Sequence, residues 1–103
     1  MAQLVWTRPA TADLREIYQF IAQSSRRYAR GTVDGIRAAA RRRLEEFPNS
    51  GRVVPEHSSA RYREIIVGSY RVVYRYDEQT DRVLVLAVVH GARQLPPLSD
   101  GTT

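Results

Sequence analysis

The side chains that can stabilise negative charge are dominated by one residue type. The chain of 103 residues carries 16 basic residues against 11 acidic ones, for a net charge of +5, and every basic residue is an arginine. Arginine presents a planar fork of donors that suits carboxylates and phosphates. This charge favours a nucleic acid or an acidic protein as the partner. The missing lysines have an equally good explanation in GC-rich codon usage.

His90 is a candidate for proton transfer, because histidine is the residue type whose reference pKa lies near neutrality. His90 ends a predicted strand, where a histidine more often makes a structural hydrogen bond. His57 lies in a polar loop, and we expect it to face solvent. The chain has no cysteine and too few histidines for an imidazole-rich site, so we expect no metal and no cofactor. No Ser-His-Asp arrangement or glycine-rich phosphate loop can be made from this sequence.

Arg71 and the cluster Arg41-Arg42-Arg43 are each open to two interpretations. Arg71 either contacts a phosphate or partner on the open face of a sheet, or pairs with Glu64 on the adjacent strand. An exposed pair of that kind contributes only about 0.2–1 kcal/mol. The arginine cluster either binds a nucleic acid or an acidic segment, or forms the solvated face of a helix. We favour the solvated face, because Glu45-Glu46 offset the charge and the helix dipole favours cations near a C-terminus.

Two amphipathic helices are predicted in the first half of the chain, after a short strand at 3–6. Thr7 is a good N-cap, and Pro9 is tolerated in a first turn. The first helix has the apolar stripe Leu14, Ile17, Tyr18 and Ile21, and it closes at Gln23-Ser24-Ser25. The second helix is predicted over 29–47, with the stripe Val33, Ile36, Ala40, Leu44 and Phe47. Pro48 to Gly51 end it, and the two helices form an antiparallel hairpin.

The second half of the chain predicts strands. Residues 51–60 form a polar loop, and strands follow at 62–67, 70–76 and 83–89, separated by turns at Gly68-Ser69 and 77–81. In the middle strand Tyr70, Val72, Tyr74 and Tyr76 share the face that packs on the helices, whereas Arg71, Val73 and Arg75 share the other.

The element order β-α-α-β-β-β predicts an α+β fold in which a helix hairpin covers one face of an antiparallel-rich sheet. We expect a single domain over 1–95 and a poorly ordered tail over 96–103 unless a partner holds it. The chain has neither a signal-peptide pattern nor an apolar run long enough to cross a bilayer, so a cytoplasmic location is expected.

Four stretches of the sequence resemble one family. They are Trp6-Thr7 to Leu14 with Ile17 and Ile21, Gly51-Arg52 with Pro55-Glu56, the block from Arg63 to Arg75, and Val88 to Arg93. Together they resemble the ParE/RelE superfamily of toxins from type II toxin–antitoxin pairs. The resemblance implies an antitoxin partner that lays a partly disordered segment across the toxin and folds on binding.

The resemblance leaves the target open between two branches. RelE-like members cut messenger RNA on the ribosome, with basic residues on the middle strands and a C-terminal tyrosine or histidine. Arg71 and Arg63 match those basic positions, with His90 or Arg93 as further candidates, but no tyrosine follows Tyr76. ParE-like members instead poison DNA gyrase by binding, without chemistry of their own. The segments Gly68-Ser69-Tyr70-Arg71 and His90-Gly91-Ala92-Arg93 resemble this branch more closely. In this branch we expect Arg71, Arg75 and Arg93 to contact the partner. A third alternative is a non-toxic binding module of the same fold.

Overall fold

The computed structural model describes residues 1–98, and the fold in this part of the chain is the predicted α+β arrangement. The elements are β1 (Gln3–Trp6), α1 (Arg8–Ala22), α2 (Arg26–Leu44), β2 (Arg52–Val53), β3 (Arg63–Val67), β4 (Tyr70–Asp77) and β5 (Arg82–His90). Strand β2 was not predicted, because two residues in a polar loop are too few to show an alternating pattern. Neither helix of the described part is long and apolar enough to span a membrane.

The helix boundaries follow from their caps. Thr7 caps α1 as predicted, because its hydroxyl accepts a hydrogen bond from the Ala10 amide and donates one to the Val85 carbonyl. Helix α2 begins at Arg26, three residues earlier than predicted, because the Ser25 hydroxyl accepts from the Tyr28 amide at 3.0 Å. The helix also ends early, at Leu44. Phe47 precedes a proline, which disfavours helical backbone at that position, and its side chain is exposed.

The five strands form one sheet in the order β1-β5-β4-β3-β2. Strand β1 pairs parallel with β5, and the other neighbours are antiparallel. The β-branched run of β5 therefore lies inside the sheet, as its composition predicts. Beyond the end of β1, the Asp13 carboxylate of α1 accepts a hydrogen bond from the Val88 amide at 2.9 Å. The Asp13 side chain thus gives the Val88 amide the acceptor that the short strand β1 does not supply. Burial raises the pKa of Asp13.

The two faces of the sheet are covered differently. The helix hairpin covers the face that carries Val72 and Tyr74, with Tyr70 and Tyr76 packed at its margin, which confirms the predicted alternation of β4. On the second face Val54, Val73 and Ala87 form a small apolar cluster. Tyr62, Leu95 and Leu98 pack against this cluster. Part of the predicted tail, as far as Leu98, thus lies against this cluster, and 99–103 lie outside the described residues.

Candidate functional site

Arg71 is buried in an ion-pair network on the second face of the sheet. Its side chain is 6% exposed, and the guanidinium contacts two carboxylates, those of Glu56 at 2.6 Å and Glu64 at 2.7 Å. The predicted partner Glu64 is therefore confirmed, but the pair is buried and not exposed as expected. The alternative of an open sheet face is wrong, because Glu56 and the segment after β5 lie over the arginine.

The network extends to a second arginine at the edge of the sheet. Arg52 of β2 contacts the second oxygen of the Glu64 carboxylate at 2.6 Å, while its own side chain is 61% exposed. The Glu64 side chain is fully buried between the two arginines. Two cations and two carboxylates thus neutralise one another, so the network offers a phosphate no net positive charge.

The geometry also fixes the charge state of the network. The hydrogen bonds from Arg71 lower the pKa of Glu56 to about 2, from an ordinary value of 4.5. The two carboxylates in turn raise the pKa of Arg71 above its ordinary value. Glu56 and Arg71 therefore stay charged at any physiological pH, which makes both unsuitable for proton transfer.

Glu56 connects the network to the C-terminal strap, as we name residues 93–98. Its carboxylate accepts a hydrogen bond from the Leu95 amide at 3.3 Å, and Arg71 donates to the Arg93 carbonyl at 3.3 Å. The sequence analysis missed this role of Glu56. The segment Pro55-Glu56 was noted as part of the resemblance, but nothing in its spacing pointed to Arg71, fifteen residues further along the chain.

Arg63, the second basic candidate, lies far from Arg71. It pairs with Tyr74 at the other end of β3, whereas Arg71 pairs with Ile66, three positions along the ladder or about 10 Å. The side chains at 63 and 71 also point to opposite faces of the sheet. The Arg63 guanidinium donates to the Gly51 carbonyl at 2.9 Å, so it holds the loop before β2.

Gly51 is the point where that loop meets the core, and sequence reasoning missed its role. Its amide donates to the Tyr74 hydroxyl at 2.9 Å. A Cβ at this position would lie 2.6 Å from the Glu64 carbonyl oxygen and 2.6 Å from the Tyr74 hydroxyl, so only glycine fits. Burial raises the pKa of Tyr74, whose hydroxyl therefore remains protonated at neutral pH.

The two histidines make local contacts. His90 pairs with Tyr70 at the end of β5, and their rings lie 5.8 Å apart on the face opposite to Arg71. Its Nδ1 accepts a hydrogen bond from the Ala92 amide, which matches the structural interpretation. His57 does not simply face solvent, because its ring packs against Tyr62 at 4.9 Å and is partly buried.

The remaining candidate cations occupy different surfaces. Arg93 is exposed, and Arg75 is partly buried on the second face of the sheet. The cluster at 41–43 is exposed along the last turn of α2, as the solvated-face interpretation predicts. Within that cluster, Arg43 donates a hydrogen bond to the Ile66 carbonyl at 2.9 Å.

This fold, a helix hairpin on one face of a mixed sheet, is shared with solved toxin–antitoxin systems. The chromosomal ParDE system from P. aeruginosa includes a chain that superimposes with a TM-score of 0.71 at 22% identity, over 87% of this chain and 96% of the other. The toxin–antitoxin complex RelBE2 from Mycobacterium tuberculosis gives 0.58 at 21% identity, over 86% and 96% of the two chains. At these identities the likeness shows the fold alone.

Sequence comparison identifies the family. The model of the family described as "ParE toxin of type II toxin-antitoxin system, parDE" matches residues 4–95. Toxin RelE2 of Caulobacter vibrioides is 36% identical over 93 residues, which are 90% of this chain and 99% of that protein. The chain therefore belongs to the ParE toxin family. This family lies within the ParE/RelE superfamily, which the sequence was found to resemble.

Proposed function

We propose that this toxin inhibits DNA gyrase by binding to it, without catalysing a reaction, and that a cognate antitoxin neutralises it. The observation that carries the proposal is the closure of Arg71 by Glu56 and Glu64. A cation that stabilises a phosphate in a transition state must be able to reach that phosphate. Arg71 is buried, and its donors are occupied by carboxylates of its own chain.

The other candidates for a ribonuclease site support the same conclusion, because they do not converge. Arg63 and His90 share the helix-covered face but lie at opposite ends of the sheet, beside Tyr74 and Tyr70 respectively. Arg71 lies on the other face. General acid–base catalysis needs its groups within hydrogen-bond reach of one substrate, and this arrangement offers no shared position.

The exposed arginines are the better candidates for contact with a protein target. Arginine is enriched among the residues that dominate binding energy at protein interfaces. Of the three predicted contacts, Arg93 is exposed and Arg75 is partly exposed, whereas Arg71 is enclosed. We therefore retain Arg93 and Arg75 as proposed target contacts and assign Arg71 the role of holding the surface near Arg93 in place.

The proposal is tested by two assays on the purified full chain. We expect the chain to accumulate cleaved DNA with gyrase and to leave translation of a ribosome-bound message intact. Arg93→Ala should weaken the gyrase effect several-fold, whereas Arg30→Ala, which removes an exposed charge elsewhere, should not. A chain that leaves gyrase turnover unchanged contradicts the proposal.

The similarity to a protein named RelE2 favours one alternative, a ribosome-dependent endoribonuclease. This alternative requires message cleavage that is lost in His90→Ala or Arg63→Ala while the fold is retained. These two variants test it better than Arg71→Ala, because loss of the buried arginine would damage the fold itself. Message cleavage with that mutational pattern would replace the gyrase proposal.

A further inference from the structure

A shallow cavity of about 330 Å³ lies at the start of the helix hairpin, beside the ring of Trp6. It is lined by Trp6 at the end of β1 and by four residues of α1, which are Arg8, Thr11, Ala12 and Arg15. We name it the Trp6 cavity. Arg8, Ala12 and Arg15 are exposed, so the cavity is open to a partner and carries two cations on one side of α1.

A third arginine reaches the Trp6 cavity from α2. The Arg37 guanidinium lies over the Trp6 ring, 5.0 Å from the ring centroid. Among residues 1–98, no carboxylate lies within salt-bridge distance of Arg8, Arg15 or Arg37. Arg71 differs in this respect, because two carboxylates of its own chain neutralise it. The Trp6 cavity therefore keeps its positive charge available to an anionic ligand.

The position of Arg8 does not serve the stability of α1. Arg8 is the first residue of the helix, where the dipole favours a negative charge, and the first turn holds no acidic residue. Asp13 turns to the sheet and accepts a hydrogen bond from the Val88 amide. Glu16 lies about 100° further around the helix than Arg15. The positive end of α1 is thus left uncompensated, and the dipole and the guanidiniums act together on an anion.

The lining of the Trp6 cavity favours a chain of phosphates over an acidic protein segment. Protein interfaces have an apolar core, whereas the one large apolar ring of this lining, that of Trp6, lies under Arg37. The large apolar side chains that are exposed in the described part of the chain lie outside the cavity, at Met1, Phe20, Tyr28, Phe47, Val53 and Ile66.

The spacing of the two α1 arginines fits a nucleic acid backbone. Arg8 and Arg15 are seven residues apart on one side of the helix, a rise of about 10.5 Å along its axis. One strand of a DNA duplex advances about 3.4 Å per phosphate. The two guanidiniums are therefore spaced to meet phosphates three nucleotides apart on one strand.

We propose that the Trp6 cavity binds the phosphate backbone of duplex DNA, and that this DNA is the segment held by gyrase. Arg8 and Arg15 contact phosphates of one strand, and Arg37 adds its charge at the rim. Binding is independent of DNA sequence, because phosphate contacts carry no sequence information. The inference rests on the proposed function and deepens it, since the toxin then contacts the enzyme and its DNA together.

The first test measures DNA binding by the purified full chain without gyrase. Trp6 is the only tryptophan of the chain, so its fluorescence reports on the cavity. A short fluorescent duplex of mixed sequence should change Trp6 emission and gain anisotropy with the same midpoint, and binding should weaken steeply between about 50 and 200 mM salt. Absence of binding, or binding that leaves Trp6 emission unchanged, overturns the proposal.

The second test removes the two α1 cations together. Arg8→Gln combined with Arg15→Gln, the cavity pair, should make the slope of log binding constant against log salt shallower by about 1.8, because each phosphate contact contributes about 0.9. The control pair, Arg27→Gln with Arg42→Gln, removes the same charge from exposed positions of α2 and should leave the slope nearly unchanged. Equal effects of the two pairs would mean that net charge alone attracts the duplex, which overturns the proposal.

The same variants separate this inference from the proposed function. With gyrase, the cavity pair should accumulate several-fold less cleaved DNA than wild type, whereas the control pair should match wild type. A wild-type chain that leaves gyrase turnover unchanged contradicts the proposed function, and a cavity pair as active as wild type overturns this inference alone. If the cavity pair loses binding to the cognate antitoxin and keeps duplex binding, the cavity is an antitoxin surface and the proposal is rejected.

Discussion

The two faces of the sheet are held by different physical interactions. The helix-covered face is an apolar core in which Leu14, Ile36 and Tyr74 are almost fully buried. The second face has a small apolar cluster around Val73 and is held together largely by the charged network of Arg71. Hydrophobic burial is non-directional, whereas the network works only when each charge meets its partner. The first face therefore depends on close packing of its side chains, and the second face also depends on charge pairing that specifies one arrangement of a loop and the strap.

The segments that lie over the second face lack regular structure. The loop around Glu56 and the strap are held by ion pairs and by single hydrogen bonds to Arg71 and Glu56. The cost of burying these charges is offset only while the network is complete. Removing one member should therefore affect the second face more than its small apolar cluster suggests.

Arg71→Ala has the largest expected effect on the molecule. It leaves the Glu64 carboxylate buried with Arg52 alone and releases Glu56 and the strap, so we expect the free energy of unfolding to fall by about 3–5 kcal/mol. Urea denaturation measures this change. The matched control is Arg30→Ala, which breaks an exposed pair with Asp34 at 4.0 Å and should change stability by less than about 0.5 kcal/mol.

A second variant separates charge from packing on the same face. Arg71→Met combined with Glu64→Leu removes the buried charges together and keeps most of the volume. Replacing a buried pair by apolar side chains is often neutral, so this double variant should recover most of the stability that Arg71→Ala loses. If it is as unstable as Arg71→Ala, the ion pairs are not the main contribution of this face.

The sequence predicted the first face far better than the second. Periodicity placed α1, the alternation of β4 and the interior position of β5, because each pattern reflects burial over many residues. The second face depends on pairs that are distant in sequence, such as Glu56 with Arg71 and Leu95 with Glu56. Such pairs leave no periodic signal. The prediction for Arg71 therefore found the cross-strand partner Glu64 and missed the loop partner Glu56.

Gly51→Ala tests the junction between the two faces and should have an intermediate effect. The new methyl group would meet the Glu64 carbonyl oxygen on β3 and the Tyr74 hydroxyl on β4, each at 2.6 Å. We expect a loss of about 1–3 kcal/mol, measured by urea denaturation. Gly35→Ala in α2 has open space at this position and should stabilise the helix by about 0.5–1 kcal/mol, so a similar loss in both variants would contradict the steric argument.

The smallest expected effects concern pH, and they have opposite signs for two carboxylates. The pKa of Glu56 is lowered from 4.5 to about 2, so its ion pair contributes full stability above pH 4.5 and loses it as the pH falls towards 2. The pKa of Asp13, on α1, is raised above 3.8 by burial. Its charged form is therefore less favourable in the folded chain than in the unfolded chain. The free energy of unfolding accordingly decreases as the pH rises above 3.8 and Asp13 loses its proton.

Single substitutions separate these two contributions. Glu56→Gln should be less stable than wild type at pH 6, with the difference shrinking between pH 4.5 and 2 as the wild-type pair is protonated. Asp13→Asn keeps an oxygen that accepts from the Val88 amide and removes the buried charge. It should therefore match wild type near pH 3 and equal or exceed its stability at pH 7. Thermal unfolding of the three chains across this range measures both differences. If they change with pH in the same direction, the carboxylate on the helix-covered face is also stabilised by charge, and the contrast between the two faces fails at Asp13.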